Sequence, residues 1–422
     1  APPIRYMGNT VAVGVIVSLI LSLTFLPAVL SVLPMRAKSV RSEGGSLTRL
    51  GWFVVGQRNP LLLGMLAVIL ALSAMIPRNQ LNEDALRYFD ETFDFRRAVD
   101  FMEARLTGPY TIDYSADSGS SGGIAAPEFL RGLARFATWL REQPEVRHVS
   151  VFTDIIKRLN KNLHDDDPSE YRLPDEKELT AQYLLLYEMS LPYGLDLNDQ
   201  INIDKSASRV ATTIESLTMK ELIDFEERVQ REVRDNIPAL TISGGAGTTF
   251  MFAYVTQRNA FNLLKSTTAA LVIISFLLII AFKSVRFGLV SLIPNLVPAA
   301  MGFGVWGLAD GMVGLDIAPV MGMTLGIVID DTVHFMSKYL RGRREIGANS
   351  PEAVVYTFQT VGRALLVTSC VLVVGFLVLS FSHFALNARM AALTAMVIVF
   401  ALIADFLFLP PILMRIDKKK SV

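Results

Sequence analysis

Seven stretches of this sequence stay predominantly apolar for about twenty residues or more: residues 10–33, 60–77, 264–283, 287–309, 316–336, 363–382 and 390–413. A helix rises about 1.5 Å per residue, so a run of that length can cross the ~30 Å hydrocarbon core of a bilayer. Composition agrees, with 51% of the 422 residues hydrophobic. The expected fold is a polytopic α-helical membrane protein with about seven spans. Forty Lys and Arg balance forty Asp and Glu, which leaves no cationic excess for phosphates and argues against a nucleic-acid partner. The single cysteine, Cys370, lies in an apolar run, so no disulfide can form within the chain. The chain opens APPIRYMGNT, without an initiator Met or a basic segment ahead of an apolar one. It reads as the later part of a longer protein.

Charge sets the expected orientation. Arg36, Lys38, Arg41, Arg49 and Arg58 fall on one side of the spans, with Lys283, Arg286, Lys338, Arg341, Arg343, Arg344 and Arg363. Arg415, Lys418, Lys419 and Lys420 join them, whereas the opposite short loops offer only Arg5 and Arg389, with Asp310 and Asp316. The positive-inside rule assigns the basic side to the cytoplasm, and residues 78–256 to the outside. Within 78–256, helix-period segments near 91–106, 127–142, 177–190 and 219–235 alternate with strand-like runs at 110–116, 147–152, 208–216 and 240–244. That alternation predicts an α/β (α+β) domain, built as two small lobes split near the acidic connector 164–176. Its aromatic residues, such as Tyr110, Phe129, Phe136 and Tyr183, read as core rather than as a substrate clamp.

The first and last apolar runs share a pattern. VIVSLILSLTFLPAVL (15–30) and VIVFALIADFLFLPPIL (397–413) each carry FLP near one end, followed by Arg36 or Arg415. Transporters are commonly built from two repeated halves. On that reading the first span ends a first half, and Asp405 falls where the first copy has Ser22.

The run SLIPNLVPAAMGFGVWGLADGMVGLDIAPVMGMTLGIVIDDTVHFMSKYLRGRRE (291–345) resembles the resistance–nodulation–division (RND) transporters. It is most similar to their MMPL branch of lipid and hopanoid exporters: an IPN…P run, a Gly-rich turn, then GxxxDDxxHF before a basic loop. Residues 361–384, 401–413 and the opening segment carry the same likeness. The NARM stretch (387–390) departs from it, standing where the family usually has a glycine. The resemblance implies half of an RND two-fold repeat, with ferredoxin-like lobes in the outer domain. The implied division is 1–36, the last helix of the first half; 37–59, a cytoplasmic linker; and 60–77, a transmembrane helix. Then come 78–256, a periplasmic porter-like domain; 257–415, a five-helix bundle; and 416–422, a basic cytoplasmic tail. Implied partners are a hydrophobic or lipid substrate (hopanoid- or sterol-like), protons, membrane lipids, a periplasmic adaptor or carrier protein, and the N-terminal half of the same polypeptide. The implied location is a bacterial inner membrane.

The chemistry centres on GIVIDDTVHF (326–335). Ala318, Gly322, Gly326, Asp330 and His334 recur every four residues and share one helix face. Small residues admit a close neighbour, so Asp330 is expected to point into the bundle. A charged Asp at bilayer depth costs about 2.5–3.5 kcal/mol on insertion scales. Asp330 and Asp331 are therefore expected to act as a coupled proton relay that holds at least one proton near neutral pH. His334 reads equally as a relay member and as an interfacial histidine. Asp405 reads equally as a second relay group and as an acid bonded to a neighbouring helix. Gly322 and Gly326 are candidate packing positions, and Pro294, Pro298 and Pro319 candidate kinks or hinges. Asp330 and His334 have metal-ligand spacing, but no further His or Cys lies nearby, so no metal or cofactor is expected.

Three function classes compete. A proton-driven RND exporter of a hydrophobic substrate leads. An intramembrane aspartyl protease would need a GxGD pattern, and this chain reads GIVID; enzymatic activity is not expected. A sterol-sensing, regulatory or protein-export-assisting protein shares the architecture and stays open.

Overall fold

The computed structural model describes residues 2–33, 45–82, 85–192, 197–314 and 316–417. Arg36, Lys38, Arg41, Lys418, Lys419 and Lys420, which enter the charge asymmetry, lie outside the described residues. In chain order, α1 (Pro2–Leu23) and α2 (Phe25–Val32) are followed by α3 (Ser46–Gly56), α4 (Arg58–Ser73) and a short strand β1 (Gln80–Leu81). Next come α5 (Asp94–Arg105), β2 (Tyr110–Asp117), α6 (Pro127–Arg141), β3 (Val146–Val151), α7 (Phe152–Leu163) and α8 (Lys177–Ser190). β4 (Ala207–Ile214), α9 (Met219–Asn236), β5 (Thr241–Ile242) and the long α10 (Thr248–Phe282) lead into the bundle. The bundle continues with α11 (Val285–Val290), α12 (Leu292–Ala309), β6 (Met312–Val313), α13 (Val320–Arg344) and α14 (Ser350–Thr360). It closes with α15 (Gly362–Ser380), α16 (Ala385–Ile403), a π-helical turn (Ala404–Phe408) and α17 (Leu409–Ile416).

Six helical segments among the described residues are long and apolar enough to cross a membrane: Gly8–Val32, Arg58–Arg78, Thr248–Phe282, Val285–Ala309, Gly362–Ser380 and Ala385–Ile416. The expected seventh, residues 316–336, does not qualify. Its helix starts only at Val320, and Asp330, Asp331 and His334 lie near its middle. The segment expected at 264–283 begins much earlier, at Thr248, because nothing between there and Phe282 breaks the helix. Pro294 sits in the first turn of α12 and Pro319 caps α13, where a missing N–H costs nothing. Only Pro298 lies inside a helix, so a proline kink is available at one of the three expected positions.

The α/β part contains one sheet, not two lobes. Its order is β3-β4-β2-β5, antiparallel throughout. β4, which follows the 164–176 connector, pairs with both β2 and β3 from before it, so the two sides of the connector share one layer. Alternation in β2 and β4 sends Ile112, Tyr114, Val210 and Ile214 into the core. There they meet Leu133 and Phe136 of α6 and Phe225 and Val229 of α9. α9 starts at a reciprocal Thr218/Glu221 capping box.

Two contacts fasten this part to the bundle. The Tyr114 hydroxyl donates to Glu226 at 3.0 Å, and Glu226 accepts Gly245 N at 2.9 Å and Gln230 Nε2 at 2.8 Å. Burial, with Glu226 adding to it, pushes the Tyr114 phenol above its ordinary range, so it stays a donor. This fixes the loop that feeds α10. On the other side, β1 pairs in parallel with β6, and Asn79 donates to Phe303 O at 2.9 Å. The segment then straps over the bundle end: Ala385 N donates to Tyr88 O at 2.7 Å, Phe89 packs on Phe384, and Asp90 pairs with His383.

Two outcomes follow from these contacts. A Cβ on Gly304 would lie 2.1 Å from Leu72 O, so α12 and α4 meet backbone to backbone. Gly304→Ala should destabilise by about 1–3 kcal/mol, read as a fall in melting temperature in detergent; an unchanged melt would contradict the close approach. At the strap, hydrogen bonds from Thr92 and then His383 hold the Asp90 carboxyl down at about 2, against 3.8 ordinarily. A depressed carboxyl stabilises above its unfolded value and loses that contribution as pH falls through the folded one. Protease sensitivity of the strap should therefore rise between about pH 4 and pH 2, and Asp90→Asn should show that rise already at neutral pH.

Candidate functional site

Three helices bring the acids together. α13 buries Val320, Thr324, Val328, Asp331, Phe335 and Tyr339, spaced by three and four residues. Neighbouring residues on a helix diverge by roughly 100°, so this stripe includes Asp331 and leaves Asp330 out. Asp331 is buried and accepts a hydrogen bond from Ser369 Oγ of α15 at 3.1 Å. Beside it, Thr332 donates to Asp405 Oδ1 at 2.9 Å. Asp405 is 1% exposed, and its Oδ2 has no partner among the described residues.

The π-turn carrying Asp405 follows from the sequence after it. Pro410 and Pro411 have no N–H to return to the carbonyls four residues back, and the ladder widens, with Leu409 N reaching Ala404 O. Asn295 of α12, 1% exposed, also leaves both side-chain amide atoms unpartnered among the described residues. In an apolar bundle such atoms are costly unless a partner is supplied to them.

The expectation that Asp330 points into the bundle is corrected. Its side chain is 74% exposed, with His334 Nε2 3.4 Å away. Gly322, Gly326, Asp330 and His334 do share a face, but that face is exposed, and a Cβ on Gly326 would meet nothing within 4 Å. Asp331 and Asp405 therefore stand together inside, while Asp330 and His334 pair outside. Sequence reasoning missed Ser369 and Thr332. Their signal was available: each is a hydroxyl beside or within an apolar run. Among the described residues no group of three or more His, Cys, Asp or Glu is placed to hold a metal ion.

Nearer the α/β part, a cavity of about 500 Å³ opens between α10, α12, α13 and the strap. Leu81, Leu263, Leu296, Phe303 and Met321 line it, with Asn79 and Thr267 as polar exceptions.

The helices that carry Asp331 and Asp405 fall within a match to a known family. The MMPL family model covers residues 202–419, just over half of the 422 residues. This chain belongs to the MMPL family. The matched region takes in β4, α9 and every helix of the bundle from α10 to α17. Over 148 residues it is also 28% identical to a membrane protein of Methanocaldococcus jannaschii. That alignment takes in 35% of this chain and 38% of the relative, so the chain spans well under two thirds of that protein's length. Family, relative and helices together make this a multi-pass membrane protein.

A buried carboxylate and its amide differ in charge but not in shape. Asp405→Asn should keep or raise thermal stability, because it removes a charge from an apolar site. Asp405→Ala should cost about 2–4 kcal/mol by opening a cavity and orphaning Thr332. Equal losses in detergent melts would show that the charge itself holds the bundle.

Proposed function

We propose that this MMPL family member is an RND-type transporter that couples proton passage through Asp331 and Asp405 to export of a hydrophobic substrate, a lipid of hopanoid or sterol type. The observation that carries the reading is the pair of buried acids on two helices, each held by a hydroxyl from a different element. A purely structural role needs neither acid, since apolar residues of similar volume hold such an interior at least as well. A proton carrier needs both: a carboxyl that stays folded in either charge state and a partner that accepts the hydrogen bond's rearrangement. Asp330 and His334, on the uncovered face of α13, extend the relay toward whatever packs there.

The apolar cavity beside the strap suits the tail or ring system of such a substrate, because pockets of a few hundred Å³ with few polar groups bind apolar ligands. On this reading the basic ends of the helices are cytoplasmic and the α/β part lies outside, as the asymmetry of Lys and Arg favours. Each charge moved across the membrane supplies about 2.3 kcal/mol per 100 mV, enough to drive a coupled step.

Untargeted lipid profiling of separated membranes tests this in the native host. At matched expression, an Asp331→Asn, Asp405→Asn double variant should retain one lipid class in the cytoplasmic membrane that wild type depletes. Identical profiles would remove the lipid assignment.

A further inference from the structure

α13 and α16 run side by side in the same direction, and two contacts set one register. Arg389 Nη1 lies 3.9 Å from Asp316, and Thr332 lies 2.9 Å from Asp405; the partners in each pair are 73 positions apart. Near the strap, Arg389 also bonds Asp310 at 2.7 Å. Asp316 accepts from Ile317 N at 2.9 Å, and its side chain is only 6% exposed. Arg389, in the NARM stretch, thus supplies the cation of this cluster among the described residues.

Between the two contacts the seam is apolar. Ile317, Val320 and Val328 on the α13 side meet Leu393, Val397 and Ala401 of α16 in one cluster, all buried. Two hydroxyls interrupt it. Thr324 occupies the α13 stripe between Val320 and Val328, is 1% exposed, and turns its hydroxyl back onto Val320 O at 2.7 Å. Thr394 lies four residues after Met390 and three before Val397, is fully buried, and its hydroxyl has no partner among the described residues. The shared register sets Thr394 beside position 321, three residues above Thr324, or about 4.5 Å along the axis. From the strap end inward the order is Asp316 with Arg389, then Thr394, Thr324, and the acids Asp331 and Asp405.

Packing alone does not account for Thr394. Valine has the same shape and leaves no orphan in an apolar seam. We propose that the α13–α16 seam is the proton entrance from the side of the α/β part, with Arg389, Asp310 and Asp316 as its lid and Thr394 and Thr324 holding the water that leads to the acids. The entrance is shut here by the apolar cluster, and it opens when Arg389 leaves Asp316. Each hydroxyl releases one proton as it accepts another, so only the carboxylates at the inner end change charge. This rests on the proton-coupled reading of Asp331 and Asp405 given above.

Cys370, exposed on α15, is the only cysteine in these 422 residues, and its removal makes the seam addressable. In the full-length protein with Cys370→Ala and every cysteine outside these 422 residues likewise replaced, Thr394→Cys is exposed to a membrane-impermeant charged thiol reagent. Modification should be measurable and about tenfold faster when Arg389→Ala is added, since thiol reaction follows access. No modification in either background overturns the entrance. The second arm reads proton uptake in proteoliposomes with an entrapped pH dye. Thr394→Val should melt no lower than wild type yet slow uptake about a hundredfold, the scale of a lost proton-transfer group. Wild-type uptake in Thr394→Val, with uptake lost in Asp331→Asn, overturns the entrance and leaves proton coupling standing. Wild-type uptake in the Asp331→Asn, Asp405→Asn variant overturns the coupling, and the entrance with it.

Discussion

Inside an apolar bundle no bulk water is at hand for a polar side chain, so each one needs a partner from the protein itself. Most of the interior obeys. Ser369 serves Asp331, Thr332 serves Asp405, and Thr324 serves its own helix. Among the described residues, Asp405 Oδ2, the Asn295 amide and the Thr394 hydroxyl are buried there without a partner. Their cost makes them informative, because an apolar side chain of the same shape would avoid it. The chemistry of this protein is legible less in what is bonded than in what is left unbonded.

Helix and strand positions in the α/β part were largely legible from period alone. The strand read at 110–116 is observed at Tyr110–Asp117, and the helix read at 127–142 at Pro127–Arg141. Pairing was not legible. Whether β4 joins the strands before the connector or starts a second lobe is decided by long-range hydrogen bonds that no local pattern encodes. The apolar runs were found because hydropathy is local. The run at 316–336 is not among the six because its helix starts only at Val320 and carries two carboxylates near its middle.

The acids illustrate a subtler limit. Four-residue spacing correctly grouped Gly322, Gly326, Asp330 and His334 on one face. Spacing does not say which way that face turns, and small residues are compatible with a buried contact or an open one. The opposite stripe, with Thr324, Val328 and Asp331, is the buried one, and bulkier side chains fill it. One residue of rotation separates the two readings, and it moves the interior acid from Asp330 to Asp331. Asp405, ambiguous in sequence between relay and structural acid, acquires a defined donor in Thr332 while keeping one oxygen free.

α10 runs unbroken for 35 residues from the edge of the sheet to the far end of the bundle. At 1.5 Å per residue that is a rod of about 50 Å, some 20 Å longer than a bilayer's hydrocarbon core. Its upper end is clasped to the sheet through Glu226 and the glycine loop, and its lower end turns back at Lys283 in a left-handed cap. A stiff rod held this way behaves as a lever with the membrane as its fulcrum. A tilt of about 5° swings the protruding 20 Å by nearly 2 Å, enough to matter because packed interfaces switch on ångström-scale shifts. Small helix movements near the acids thus reach the α/β part through one continuous helix.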